Sequence, residues 1–343
     1  RARGMPISVL TDEPKYWAQE LAIPTALNVS LLMLHLSVCC LQMFVLPYYL
    51  LPNHVWWGLV VVPLAALSNP LWALVHECVH DAFHPKAKVC RFAGRFLSIL
   101  FGSPFQVLRS THLSHHKFNR SPLEKGTEMY AADQTSRFRA SVKYYSYILC
   151  GVYLLEVASA LLFLMPKKFI DRFTGRLLEH GDRQEKWLAS KFLKDGRLNE
   201  MRVDGLAIVI LYGASAFVYR RHWVFFAIMV GLRAMLISLM DNIYHYGTPL
   251  KVTISGYNLL LPRHLSAGLL HFNYHRVHHA HPNMPWTELP RLYAHTAQNF
   301  DDRFSVALFR QFRGPLSVEQ LQPQALAAPG RYPDRLLLPA EGS

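Results

Sequence analysis

The chain has 343 residues, of which 51% are hydrophobic and 17% charged, against roughly 25% charge in a soluble domain. Its net charge is +13, from 36 Lys and Arg against 23 Asp and Glu. The basic residues are spread among apolar segments with no base-stacking module, which excludes nucleic acid as a partner; in a membrane protein such an excess follows from Lys- and Arg-rich cytoplasmic loops.

Arg1 to Gly4 precede Met5 and read as a cloning remnant, and no cleavable signal peptide is expected. Residues 5–23 form a polar segment expected at the cytoplasmic membrane surface. Residues 25–50 and 55–75 contain no Asp, Glu, Lys or Arg, and each reaches the ~20 residues that span a bilayer. They predict a transmembrane hairpin over 24–75, turning at Pro52-Asn53 and ending in a first histidine cluster. Residues 93–108 carry Arg95 and are broken by Gly102 and Pro104, so they predict a helix lying in the interface; the region 93–116 delivers a second cluster. Residues 144–165 are apolar between Lys143 and the Lys167, Lys168, Arg172 group. A second hairpin is predicted over 203–245, turning at Arg220-Arg221-His222 and ending in a lone histidine. Residues 262–322 form a cytoplasmic cap with the last cluster, and 323–343 an extended tail rich in Pro and Ala. The chain reads as one domain over 1–343. The five cysteines form no C-x-x-C pair and read as reduced packing residues.

Nine histidines stand in four groups: His76 with His80; His112 with His115 and His116; His245; and His275 with His278 and His279. Residues three and four apart share a helix face, so each group presents its imidazoles together. One ion uses three or four nitrogens; nine suit two open-sided ions. All groups must then lie on one membrane side. The number of crossings between the second group and His245 must be even, and three apolar stretches lie there. Residues 144–165, basic at both ends, are expected not to cross. The expected fold is an all-α integral membrane protein of about four transmembrane helices, with interfacial helices and a cytoplasmic histidine-rich cap.

Two other readings compete. His76-Glu77-Cys78-Val79-His80 is also the zinc metalloprotease motif H-E-x-x-H, with Glu77 as general base, but that reading leaves most clustered histidines without a role. His80 with His84 is a second H-x-x-x-H register for the first group. Isolated histidines such as His35 and His54 read as packing or solvated residues.

Together, H-E-x-x-H, H-x-x-H-H and H-x-x-H-H separated by apolar hairpins resemble the membrane fatty acid desaturase and hydroxylase superfamily. The stretch Asn273-Tyr274-His275-Arg276-Val277-His278-His279 through Trp286 is similar to its third box, and Asn242-Ile243-Tyr244-His245-Tyr246-Gly247 resembles its extra histidine motif. The resemblance covers roughly residues 50–292. It implies a non-haem di-iron centre, with dioxygen as co-substrate, that breaks an unactivated C–H bond in a fatty acid or fatty-acyl chain. It places the nine ligands on His76, His80, His112, His115, His116, His245, His275, His278 and His279. A tenth ligand acting through water is expected at Asp241, with Asn242 the alternative. Arg109, Lys117, Arg120, Arg263 and Arg276 lie near the boxes and are expected candidates for holding a substrate carboxylate or phosphate. Desaturation is the expected outcome. Oxidative decarboxylation of a free acid to a terminal alkene, and hydroxylation or ketolation of an aliphatic lipid, are the alternatives. With no Cys-rich ribbon, nucleotide-binding glycine motif or haem domain in the chain, electrons are expected from a separate ferredoxin, rubredoxin or small cytochrome with its reductase. The basic charge suits an acidic carrier. The expected location is a bacterial inner membrane, with the site facing the cytoplasm. Arg233, mid-way along its apolar helix, is expected to pair with Glu156.

Overall fold

The computed structural model describes residues 22–121, 128–180, 183–192, 196–250, 252, 254–296 and 298–321. The polar segment 5–23, except its last two residues, and the tail 323–343 lie outside the described residues. The rest is helical, as expected of an all-α membrane protein; its only strands among the described residues are two-residue parallel pairs, Met129–Tyr130 with Leu316–Ser317 and Leu259–Leu260 with Asp302–Arg303. By their internal contacts the described residues fall into two compact units. One comprises residues 25–114 and 146–241, the other residues 22–24, 115–145 and 242–321.

Thr25–Asn53, Arg137–Leu164 and Arg197–Ile243 are each long and apolar enough to cross a membrane. Val55–Ala65 and Ser68–Val79, bent by 42° at their junction, make a fourth candidate span. The first helix widens into a π-helix over Leu41–Leu50 around Pro47, which has no N–H to give to an α-helical ladder. Arg197–Ile243 counts 47 residues, or ~70 Å at ~1.5 Å per residue, over twice the hydrocarbon thickness of ~30 Å. It folds back at Arg220–His222, where Arg220 has φ 44°. The Arg233 guanidinium therefore reaches the Tyr212 hydroxyl at 2.6 Å, although a straight helix would hold these residues ~30 Å apart.

The predicted break at residues 102–104 is also present, between helices Ala87–Phe101 and Phe105–Phe118. Gly102 takes φ +106°, and a Cβ there would stand 2.9 Å from the Tyr212 hydroxyl. The glycine ends the first helix in a left-handed turn, and Pro104, with its fixed φ, precedes the second. Around this break the expected Arg233–Glu156 pair fails. Arg233 donates instead to the carbonyls of Leu100 (3.1 Å) and Phe101 (3.4 Å), to Ser68 Oγ (3.3 Å) and to the Tyr212 hydroxyl. These carbonyls are the last of Ala87–Phe101, unsatisfied within the helix and at the negative end of its dipole. A cation finds there the neutral acceptors it needs without a carboxylate. Tyr153 and Tyr212 donate to Phe101 O as well, at 2.5 Å and 3.1 Å. Glu156 keeps a buried Oε2 with no hydrogen-bond partner among the described residues.

Arg95 on the same helix pairs with buried Asp204 at 2.6 Å. An apolar cavity of about 450 Å3 opens between Leu36, Met43, Phe96, Leu100 and Leu211.

Candidate metal centre

In the unit of residues 25–114 and 146–241, His76 ends the Ser68–Val79 helix and His80 is its C-cap, its N–H bonded to the His76 carbonyl. The i, i+4 spacing puts both rings on one face, where His112 of Phe105–Phe118 meets them. Ring centroids are 4.5 Å apart for His76 and His112, 4.6 Å for His76 and His80, and 5.0 Å for His80 and His112. The Nε2 atoms of His80 and His112 stand 3.0 Å apart. Trp72 packs its edge against His76 and His112 and its face towards Phe101, which makes an apolar wall beside the three imidazoles. His84 belongs to no histidine group among the described residues; its Nδ1 accepts from the Lys86 N–H. The structure thus gathers the His76/His80 register.

In the other unit, His115, His245, His275 and His279 bring their ligand nitrogens within 4.8 Å of one another. Successive Nε2–Nε2 distances are 3.0 Å from His115 to His245, 2.8 Å from His245 to His275 and 3.1 Å from His275 to His279. His116 and His278 form a further pair, Nε2 to Nε2 at 3.0 Å.

The four-histidine group suits a cation better than it suits itself. Burial first, then neighbouring imidazoles, holds His245, His275 and His279 well below the usual imidazole range, so they stay neutral at pH 7. A neutral imidazole nitrogen either donates one proton or accepts one. Four ring nitrogens that each carry a single proton or a single lone pair can make at most two hydrogen bonds among their three contacts, so one close contact is left without a bond of its own. A metal ion resolves this. Two nitrogens each ~2.1 Å from a shared ion and at right angles around it lie ~3.0 Å apart, the spacing seen here. Imidazole suits iron, copper, nickel and zinc alike, so the donor set fits iron without singling it out.

The basic candidates divide sharply. Arg120 is buried, with φ +57°, and is ion-paired with Glu128. It donates to Thr248 Oγ1 at 2.6 Å and to the His245 carbonyl. Arg276 is buried and ion-paired with Asp301. Each of these two expected substrate candidates thus faces a buried carboxylate and a backbone carbonyl. Arg109 bonds Asp81 at 2.9 Å. Lys117 and Arg263 are exposed. Asp241 is exposed and stands outside every histidine group among the described residues. Asn242 is buried and donates to the Tyr144 hydroxyl at 3.0 Å and to Gln311 Oε1 at 2.9 Å.

Sequence reasoning missed Tyr244, whose ring stacks on His275 at 4.7 Å, and Glu128 and Thr248, which lock the His245 backbone through Arg120. Glu128 and Thr248 carry no periodic or motif signal, and Tyr244, although inside the motif around His245, has nothing in the sequence that marks its ring as the partner of His275. Comparison with curated proteins and with solved structures gives no match. The family model described as fatty acid desaturase does match, over residues 16–311, a span that contains every histidine group described above. The chain belongs to the fatty acid desaturase family.

Proposed function

We propose that the protein uses dioxygen and a di-iron centre to desaturate a fatty-acyl chain. The observation that carries this reading is the four-histidine group, buried at His275 and His279 and half-buried at His115 and His245, whose nitrogens are spaced for a shared ion, in a member of this family. Its four nitrogens serve one ion, and His76, His80 and His112 serve the second. Bound iron, with dioxygen and two external electrons, would supply the power to break an unactivated C–H bond. The chain's own residues keep His245, His275 and His279 neutral by burial, orient the imidazoles by short helices and backbone anchors, and exclude water beside His76 and His112 with Trp72 and Phe101. Water exclusion confines a strong oxidant to the bound chain.

Desaturation is favoured over terminal-alkene formation by the fate of the arginines. Reaction at the β carbon of a free acid needs a cation within a few ångströms of the metals. Arg120, Arg276 and Arg109 each already face a carboxylate. Gas chromatography after feeding a saturated acid is expected to show an unsaturated chain of the same length. A terminal alkene one carbon shorter, or an alcohol or ketone, would assign the chain to the corresponding alternative reaction.

The purified protein is expected to hold two iron ions per chain. A single zinc, with peptidase activity lost in Glu77→Gln, would replace this reading with the metalloprotease. Turnover is expected to require an acidic carrier and its reductase, and to slow as salt screens their encounter. Turnover with NADPH alone in highly purified protein contradicts this. We place the site on the cytoplasmic face of a bacterial inner membrane, with both ends of the 144–165 stretch on that face. Single cysteines at Lys143 and Lys168, introduced after replacing Cys40 and Cys150, are expected to label from the same side of sealed vesicles. Labelling from opposite sides means this helix crosses.

A further inference from the structure

The third histidine group sits on a helix that cannot hold itself. His275–Ala280 has six residues, far below the ~12–15 at which an isolated helix becomes even marginal. Its preceding residue, Tyr274, makes no side-chain cap. His275 Nδ1 has no hydrogen-bond partner among the described residues, so the carboxylate or carbonyl that commonly orients a ligating imidazole from its far nitrogen is missing here. Yet His275 and His279, one turn apart, must keep their nitrogens at 3.1 Å.

We infer that Asn258 is a positioning residue for the metal centre, acting as the N-terminal cap of this helix from a segment remote in sequence. Asn258 is fully buried. Its Oδ1 accepts from the backbone N–H groups of Arg276 (3.1 Å) and Val277 (3.3 Å). These are first-turn donors that a helix cannot satisfy itself. Asn258 is fixed in turn: its own N–H donates to Asp301 Oδ2 at 2.7 Å, and the Asp301 N–H returns to the Asn258 carbonyl at 2.9 Å. The other oxygen of Asp301 binds the Arg276 guanidinium, whose Nε donates to the Gly256 carbonyl at 3.0 Å. Asn258 and Asp301 therefore grip the helix by backbone and by side chain. The segment just before Asn258 also passes close to the site. A Cβ on Gly256 would stand 3.2 Å from His275 Cδ2 and 3.6 Å from His245 Cε1. What keeps His275 in register with His245 is thus backbone anchoring, together with the Tyr244 ring stacked on it.

This assignment rests on the di-iron reading, and its test is direct metal binding rather than turnover. Apoprotein in detergent is titrated with Co2+, whose visible bands report ligand number and geometry. Wild type is expected to bind two ions. Asn258→Ala is expected to weaken one of them by roughly 10- to 100-fold, the range found when outer partners of ligands are lost; that ion's bands should also change while helicity is unaltered. Asn258→Ser, which restores a capping oxygen, is expected to recover most of the affinity. If Asn258→Ala does not fold, Asp301→Asn serves: it keeps the side chain's size, loses the Arg276 ion pair, and should shift the same ion's bands. Unchanged affinity and bands in Asn258→Ala, or in Asp301→Asn where that variant stands in, overturn the assignment. Equal loss of both ions without rescue by serine overturns it too, as a general fold defect. If wild type takes up no metal, the di-iron reading itself has failed and the assignment falls with it.

Discussion

His245→Ala is expected to abolish turnover and to lower iron from two ions per chain to about one. His245 lies at the centre of its group, its Nε2 3.0 Å from that of His115 and 2.8 Å from that of His275. Three protein groups hold its carbonyl turn: Arg120, Thr248 and, through Arg120, Glu128. Removing the imidazole leaves three nitrogens and an open position that water fills. The other eight clustered histidines are expected to behave alike in turnover. His54 and His295 are exposed and their alanine variants should keep full activity. His35 is buried in the first helix, so His35→Ala should cost packing stability while sparing the chemistry. His84→Ala is expected to stay active. An inactive His84→Ala beside an active His76→Ala would show that the first box is read in the wrong register.

Arg233→Met is expected to lower stability by about 3 kcal/mol, on the scale of one or two hydrogen bonds to a charged group, read as a lower unfolding midpoint in detergent. Adding Glu156→Leu is expected to restore none of it, because the lost partners are the carbonyls of Leu100 and Phe101 and the hydroxyls of Ser68 and Tyr212. Arg233→Lys should fall between, since an ammonium keeps the charge at the helix end but lacks the fork that reaches four oxygens. Recovery in the Arg233→Met, Glu156→Leu double variant would reinstate the ion pair.

The membrane helices were legible because they depend on local composition: residues 25–50 carry no charge, and Arg220-Arg221-His222 interrupts an apolar run at one point. The break at Gly102 and Pro104 was legible for the same reason. The histidine faces follow from spacing along single helices. What the sequence hid are contacts between distant residues. Arg276 sits inside a histidine box, so it reads as substrate-facing; only the fold shows Asp301 beneath it, 25 residues on. Arg120 reads the same way until Glu128 and the His245 carbonyl appear beside it. Arg233 calls for a carboxylate by charge alone, and nothing in the sequence shows that a helix ends beside it. Asn258 is one polar residue among many, and its capping role exists only once residues 18 and 43 positions away come to it.

The closure of Ala87–Phe101 also has a bearing on synthesis. Its last carbonyls wait for hydroxyls and a guanidinium that the ribosome makes much later, the last of them 133 residues after Leu100. At ~5–20 residues per second, that delay is roughly 7–27 s. Tyr153 and Tyr212 reach these carbonyls first, and the closure is complete only when Arg233 joins them. A nascent chain stalled before residue 233 is expected to leave a cysteine placed at Ser103 open to a water-soluble maleimide. In the finished protein Ser103 is fully buried, and the same cysteine should resist the reagent. Insertion into the membrane and assembly of the histidine groups are therefore expected to be separate events in the life of this chain, with Arg233 falling between the first and the second.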